Sequence, residues 1–489
     1  MTRQLSSVIG GILATTMLHG QPDASSSGHV VFQGSLRSRV ETWNWFESNT
    51  GTNTYGLSGN LLRLSASKSA EKADWQMEFA VPFLLGLPQA AVAPGAQGQM
   101  GLGATYYVVN HQSQNAAMIF PKQVFYRWKN LGGRKGQSLR VGRFEFGDGT
   151  EHSPGNATLA AIKRDHVNQR LIGTFGFTHI GRSFDGVQYT FDRPANNFTF
   201  AAATPTRGVF QTDGWGWNRI GFAYAAYTHE WGKGRHSAET RAFVIEYADW
   251  RPVVKTDNRP AAERANDLAN LRIDTFGGHT LHAFAAASGT FDALAWGTVQ
   301  TGRWGALPHR AYAFDVEAGF QPTGFPKLAF AKWKPWLRAG VSAGSGDANP
   351  DDNRHGTFFQ LLLTPRPYAR FPFFNMMNTQ DRFGSLLLRP HARLTLSSEF
   401  HALRLSNRND LWYLGGGAFQ PWTFGFQGRS GGGARSFANL YDTQADIRVS
   451  RAVSLTGYFA YAQGLAVTRA IYPRDKDARF GFLELTYRF

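Results

Sequence analysis

Strict alternation of apolar and polar residues is the feature that most constrains this chain, and it is clearest at the carboxy-terminal end. One face of the last segment carries Leu483, Leu485, Tyr487 and Phe489, and the other carries Glu484, Thr486 and Arg488. A repeat of two residues is the period of a β-strand. A strand with one apolar face and one charged face suits a wall between lipid and water. A terminal aromatic residue is typical of bacterial outer-membrane barrels.

The same alternation recurs along the whole chain. It is found in residues 36–45, 185–191, 198–203, 219–224, 312–320, 336–343, 393–401 and 446–449. Bacterial barrels use about 10 residues per strand, joined alternately by short turns and long loops. The sequence therefore predicts an all-β fold, one transmembrane antiparallel β-barrel of about 16–18 strands over residues 21–489, with its first and last strands paired.

Composition narrows the class of protein further. The chain of 489 residues has no cysteine, which excludes disulfides and cysteine-based zinc or haem sites. No apolar run approaches the roughly 18 residues of a transmembrane helix. Aromatic residues make up 14% of the chain, and barrels use such rings where lipid meets water.

The amino terminus has the pattern of a secretory signal. Arg3 provides a positive charge, and residues 8–18 form an apolar stretch of the right length. We predict a signal peptide over residues 1–20 and a location in the outer membrane of a Gram-negative bacterium.

The charge balance points to an anionic solute. The net charge is +16, and 39 of the 51 basic residues are arginine. Arginine favours bidentate recognition of carboxylate or phosphate. The arginines are spread singly along strands without a recognition motif, so we do not expect nucleic-acid binding.

Alternation also predicts which charged residues line the lumen. The charged residues opposite the apolar face of each strand are Arg37, Arg39, Arg338, Arg393, Arg448 and Glu399. Each could instead brace the barrel in an ion pair or contact a lipid phosphate. Acids near the arginines would keep any one site from holding an anion too tightly.

Gly- and Pro-rich polar segments predict the long loops. They cover residues 86–101, 147–168, 252–270, 345–357, 365–383 and 406–436, with a short helix at 261–270. Asp347, Asn349 and Asp351 have the spacing that begins a calcium loop, but its glycine and glutamate are missing, which favours a plain polar turn. The sequence contains no metal-binding motif, no paired catalytic residues and no sign of a cofactor.

Several ordered motifs resemble the alginate-export family of outer-membrane proteins. They are RVGR (140–143), RSFDGV (182–187), SGDANP (345–350) and the closing segment 442–465, and the resemblance covers most of residues 120–489. The family is similar to a monomeric 18-stranded barrel that passes the polysaccharide alginate out of the cell. The resemblance implies that Arg140, Arg143, Arg182 and Asp185 lie in the lumen, although alternation allows only one of Arg140 and Arg143 to point inward. Segment 144–154 lacks the tryptophans expected of close alginate exporters.

The expected function is passive transport rather than catalysis. The cargo would be an anionic polysaccharide or a small anionic solute, and the partners would be outer-membrane lipid and periplasmic export proteins. Three alternatives remain open at this stage: an anion-selective porin for small solutes, a barrel that houses a partner protein, and a barrel enzyme.

Overall fold

A computed structural model describes residues 28–232, 234–325, 329–364, 370–371 and 375–489. The predicted signal peptide lies outside these residues. The strands are β1 (Val30–Asn44), β2 (Thr54–Ser69), β3 (Ala73–Leu85), β4 (Ala116–Ala117), β5 (Phe120–Lys129), β6 (Gln137–Phe144), β7 (Phe184–Arg193), β8 (Asn196–Pro205), β9 (Ile220–Trp231), β10 (His236–Asp249), β11 (Leu271–Ala286), β12 (Gly289–Trp304), β13 (Leu307–Gln321), β14 (Trp336–Gly344), β15 (Thr379–His391), β16 (Leu394–Leu405), β17 (Leu411–Gly415), β18 (Phe426–Ser430), β19 (Ser436–Arg448), β20 (Val453–Gly464) and β21 (Ala478–Arg488).

Eighteen of these strands form one closed antiparallel barrel. Each pairs with its neighbours in chain order, with β3 next to β5 and β16 next to β19. The barrel closes because β1 pairs with β21, from Ser35 opposite Arg488 to Asn44 opposite Arg479. The two-residue strand β4 pairs with the end of β3, and β17 and β18 form a separate hairpin. The predicted fold and strand number are confirmed.

The facing of the last strand is as the alternation predicts. Leu483 and Phe489 are 73% and 58% exposed on the outer face, whereas Glu484 and Thr486 are buried inside. The same division holds in β13, where Tyr312 and Val316 point outward and Asp315 is buried. Apolar side chains outside can contact lipid, so the wall of the barrel is amphipathic in the direction that a membrane requires.

The two ends of the barrel differ in the length of their connections. One end carries the start of β1, the end of β21 and mainly short turns, such as 194–195 and 287–288, and in bacterial barrels this end faces the periplasm. The other end carries mainly long loops, including 86–119, 145–183, 250–270, 406–435 and the described residues between β14 and β15 (345–364, 370–371 and 375–378). Most predicted loops are confirmed. Of the predicted loop 365–383, residues 365–369 and 372–374 lie outside the described residues, and residues 379–383 belong to β15. The sequence patterns do not predict the loops 206–219 and 465–477.

Short helices lie within the long loops. They are α1 (Leu102–Val109), α2 (Ala157–Ile162), which continues into a π-turn at Lys163–Val167, α3 (Ala261–Asn266) and α4 (Ala466–Ile471). The predicted helix at 261–270 is therefore present but shorter. None of the helices in the described ranges is long and apolar enough to cross a membrane.

The long loops fold back into the barrel. Tyr106 of α1, Leu159 of α2 and the apolar residues between Phe358 and Leu363 are buried and belong to one apolar cluster with inward-facing wall residues such as Leu294. Burial of these side chains stabilises the loops inside the barrel rather than above it. The lumen is consequently divided into separate cavities.

Candidate functional site: the lumen

Ion pairs cover much of the inner wall. They join arginines or lysines to acids on nearby strands or loops: Arg39–Glu484 (2.6 Å), Arg63–Glu78 (2.7 Å), Arg127–Asp74 (2.9 Å), Lys163–Glu239 (2.8 Å), Arg170–Asp315 (2.6 Å), Arg241–Glu151 (2.8 Å) and Arg338–Glu317 (2.6 Å). The lumen therefore has recurring arginines, but their charge is largely balanced within the protein.

The predicted lumen residues of β1 lie inside. Arg37 and Arg39 are buried, as is Glu41, which accepts a hydrogen bond from Arg39. Arg37 donates to the backbone carbonyls of Gly176 and Thr178 in the loop 145–183. Arg37 thus fastens this loop to the wall.

The RVGR motif places its two arginines on opposite faces. Arg140 points inward, beside the side chain of Gln188 and over the ring of Phe144. Arg143 shares the outward face with Val141 and forms a bidentate pair with Asp185, with both N–O distances 2.7 Å. The expectation that Arg143 and Asp185 line the lumen is thereby corrected, because a spacing of three residues changes the face of a strand.

The backbone conformation explains why the third residue of this motif is glycine. Gly142 has a φ of 123°, and a Cβ added there would lie 2.4 Å from the carbonyl oxygen of Val124 on β5. A side chain would therefore clash with the neighbouring strand. Gly142 permits the close pairing that holds Arg143 beside Asp185.

A cavity of about 710 Å³ lies inside the wall formed by β3, β5, β6 and β7. Its lining includes the cationic side chains of Arg127, Lys129 and Arg140 and the acidic Asp74 and Glu145. Arg127 is held by Asp74, but Arg140 has no carboxylate partner among the described residues. Arg140 is thus a cation available to a solute in this cavity, and we name it the Arg140 cavity.

Arg182 lies elsewhere than predicted. It precedes β7 and is fully buried among loops, where Nη2 donates to the carbonyl oxygen of Gly416 at 2.5 Å. Burial lowers the pKa of Arg182 to about 9. The expectation that Arg182 lines an open lumen is corrected, because the loop containing it packs against the segment around Gly416.

A smaller cavity of about 130 Å³ lies on the other side of the lumen. Arg338 and Glu399, both predicted lumen residues, line it together with Arg370 and Asp442. Arg338 is buried and paired with Asp292 and Glu317. The position of Arg338 is as predicted, but its charge is balanced by Asp292 and Glu317 within the wall.

Arg393 and Arg448 lie at the short-turn mouth. Arg393 is exposed in the turn between β15 and β16, and Arg448 is exposed at the end of β19. The backbone N–H of Arg448 donates to the carbonyl of Arg393, so the two residues are adjacent. Both continue the inward-facing pattern of their strands, so they flank the entrance rather than the interior.

A narrow gap separates the wall of β1 and β2 from the loop 145–183. It measures about 20 Å³ and is lined by Arg37, Arg63, Lys122 and Glu145 among others. A gap of this size holds about one water molecule. At the long-loop end, by contrast, a cavity of about 360 Å³ is lined mainly by apolar residues such as Phe210, Phe419 and Trp422.

Several lumen residues were not singled out by the sequence patterns. Arg63 and Arg127 lie on strands whose alternation could have identified them, since the neighbours Leu64 and Trp128 are exposed outside. Lys163 and Arg170 lie in a loop, where no periodic signal exists. The Asp347 carboxylate accepts backbone N–H groups of Asn349 and Gly356, as expected for a polar turn.

Comparisons with known proteins agree with this architecture. The model of a protein family described as "Alginate export" matches residues 30–471. No curated protein matches the chain.

Solved outer-membrane proteins share the fold at low sequence identity. A BenF-like porin from Pseudomonas fluorescens is 8% identical with a TM-score of 0.57, and OccAB4 from Acinetobacter baumannii is 7% identical with a TM-score of 0.56. OpdK from Pseudomonas aeruginosa, solved with vanillate, is 9% identical with a TM-score of 0.53. Each alignment covers 94% of this chain, and 98%, 97% and 98% of the respective relatives. These likenesses show the barrel fold.

Proposed function

Since this chain belongs to the alginate export family of outer-membrane channels, we propose that its lumen passes an anionic solute. The channel class follows from the family, which accounts for transport rather than catalysis. The choice of an anionic solute rests on the lumen itself. Alginate is a polymer of uronate sugars, and a carboxylate on each sugar suits a path with guanidinium groups.

The observation that carries this proposal is the Arg140 cavity. Most inner-wall arginines are engaged by acids, so their charge contributes little to a passing solute. Arg140 instead faces a cavity of about 710 Å³ without a carboxylate partner among the described residues. A hydrogen bond to a charged group contributes about 1.5–3 kcal/mol, which corresponds to about tenfold or more in affinity.

A small anionic solute is the second candidate, because the Arg140 cavity of about 710 Å³ has room for a small carboxylate. The gap between Arg37, Arg63 and Lys122 holds about 20 Å³, too little for a sugar unit. A polysaccharide would need the loop 145–183 to move. OpdK, which shares the barrel fold, was solved with vanillate, a small aromatic carboxylate, and this supports the second candidate.

The test is block of ion current in planar bilayers by three probes: oligo-uronate, vanillate and an uncharged oligosaccharide. We expect anion selectivity and block by at least one carboxylate probe but not by the neutral one. Arg140→Ala should weaken that block about tenfold or more. Arg143→Ala removes the matched arginine on the opposite face of the same strand and should leave block unchanged.

The outcomes separate the candidates. Block by oligo-uronate favours a polysaccharide path, and block by vanillate alone favours a small-solute path. Cation selectivity, or equal block of wild type and Arg140→Ala by each carboxylate, would overturn the proposal.

A further inference from the structure

A histidine and three carboxylates gather on the inner face of β15, β16 and β19. Glu399 and Asp442 are directly opposite in the β16–β19 register. His401 is two residues along β16 from Glu399, and Asp381 of β15 contacts it. Like charges placed opposite each other across a sheet are destabilising. Arg370 lines the same cavity and offsets part of this repulsion, but the three carboxylates outnumber the cationic groups around them.

Three side chains converge on a common point. One ligand atom each from Glu399, His401 and Asp442 lies within 4.8 Å of the other two. His401 Nε2 is 3.3 Å from Glu399 Oε2. A separation of this size fits two ligands on one tetrahedral metal ion, because zinc–nitrogen and zinc–oxygen bonds are about 2.0–2.2 Å long.

Residues around the cluster hold two of these ligands in place: Asp381 contacts His401, and Tyr458 contacts Asp442. Asp381 Oδ2 is 2.7 Å from His401 Nδ1, and the Asp381 carboxylate is 1% exposed with its second oxygen, Oδ1, unpartnered. In a neutral imidazole this contact would hold the proton on Nδ1, which would leave Nε2, on the side of Glu399, for a metal ion. Tyr458 donates to Asp442 Oδ2 at 2.9 Å. A carboxylate behind a ligating histidine is the usual second sphere of a metal site.

We propose that Glu399, His401 and Asp442 bind a divalent transition-metal ion, with Zn²⁺ as the expected occupant. An imidazole nitrogen with two carboxylates suits zinc and its neighbours better than calcium or magnesium, which prefer oxygen ligands. The cavity of about 130 Å³ lined by Glu399 and Asp442 leaves room for a fourth, exchangeable ligand. The three protein ligands lie on adjacent barrel strands, so the site is part of the rigid wall and does not depend on which solute is transported.

Metal binding to the folded full-length barrel in detergent, without an affinity tag, tests this proposal. Isothermal titration with Zn²⁺ should show one saturable equivalent per chain. Loading with Cu²⁺ should show nitrogen coupling from one imidazole in the electron paramagnetic resonance spectrum. His401→Gln should abolish the nitrogen coupling, and Glu399→Gln and Asp442→Asn should each weaken Zn²⁺ binding at least about tenfold.

Two further variants make the test specific. Asp381→Asn keeps the three ligands but removes the orienting carboxylate, and should weaken binding about 10- to 100-fold. Asp446→Asn changes another inward acid of β19, bonded to Thr456 and Gln444, and should bind Zn²⁺ like wild type. The heat-dependent gel mobility of each variant reports whether the barrel has folded.

The proposal is overturned if wild type shows no saturable single site, or if folded His401→Gln retains the same affinity and nitrogen coupling. Either result would leave the cluster as an imidazolium held by carboxylates. If His401→Gln does not fold, the comparison of Asp381→Asn with Asp446→Asn decides, and equal affinities in those two variants overturn the proposal.

Discussion

The two sides of the lumen use the same kind of side chain in opposite ways. On the side of β5 and β6, Arg140 faces an open cavity without a carboxylate partner among the described residues. On the side of β10 and β13, which we call the covered side, the loop 145–183 packs over the wall. There Arg241 is fully buried and paired with Glu151, and Asp315 is fully buried and paired with Arg170. An inward arginine on a strand therefore either borders an open cavity or braces the wall in an ion pair, depending on whether a loop packs over it.

The two sides should also differ in how much a substitution changes the free energy of unfolding. A buried ion pair recovers the cost of removing its charges from water only when both partners are present. Arg140 is itself mostly buried, but it borders a cavity of about 710 Å³, and removing it leaves no ion-paired carboxylate behind among the described residues. Substitutions on the covered side should change stability most, and those on the open side should change selectivity.

The largest expected effect comes from removing a partner on the covered side. Arg170 Nη2 lies 2.6 Å from Asp315 Oδ2, and both side chains are fully buried. Arg170→Ala leaves the Asp315 carboxylate buried without this guanidinium. We expect a loss of about 3–5 kcal/mol in the free energy of unfolding, measured by urea unfolding of the refolded barrel. Detachment of the loop 145–183 should also raise single-channel conductance.

Arg354→Ala is the control for that substitution, since Arg354 pairs with Asp352 on an exposed loop and is 58% exposed. Exposed pairs contribute about 0–1 kcal/mol. Equal stability of Arg170→Ala and Arg354→Ala would show that the covered side is not held by this ion pair.

A smaller effect is expected from adding a charge on one face of β7. Val187 and Gln188 are adjacent, but Val187 faces outward and Gln188 lines the Arg140 cavity. Val187→Arg should cost about 2–4 kcal/mol in lipid bilayers, whereas Gln188→Arg should fold normally and increase anion selectivity. Folding yields in liposomes and reversal potentials measure the two effects, and the opposite result would mean that the faces of β7 are inverted.

The smallest expected effect is a pH dependence on the covered side. Burial raises the pKa of the loop residue Asp148 from 3.8 to about 6, against the opposing effect of Arg241. Its folded-state pKa lies above the unfolded value, so the folded protein takes up a proton first. Stability from this group is full below about pH 3.8 and decreases as the pH rises through about 6.

Asp148→Asn should remove that dependence. The stability of wild type relative to Asp148→Asn should fall by up to about 1.4 kcal/mol per pH unit within this window, measured by urea unfolding between pH 4 and 7. A constant difference across the window would contradict the assigned pKa of Asp148. Asp410→Asn offers a second comparison in another loop, since burial also raises the pKa of Asp410 to about 6.

The barrel could be predicted from the sequence because lipid outside and polar groups inside impose a period of two on every strand. That period correctly placed Arg37, Arg39 and Arg338 inside and Leu483, Leu485 and Tyr487 outside. The ordered motifs correctly identified the family. Alternation is a local property, so each strand carried its own evidence.

The loops and the contacts between distant strands could not be predicted in this way. Arg182 belongs to a loop, where no period indicates its direction, and its carbonyl partner Gly416 is 234 residues away. The cluster of Glu399, His401 and Asp442 requires the register between β16 and β19, which are separated in the chain by the hairpin of β17 and β18. Alternation in the sequence determined which face of a strand each residue lies on. Only the tertiary structure decided which of them meet, because strand register and loop packing depend on contacts between residues far apart in the chain.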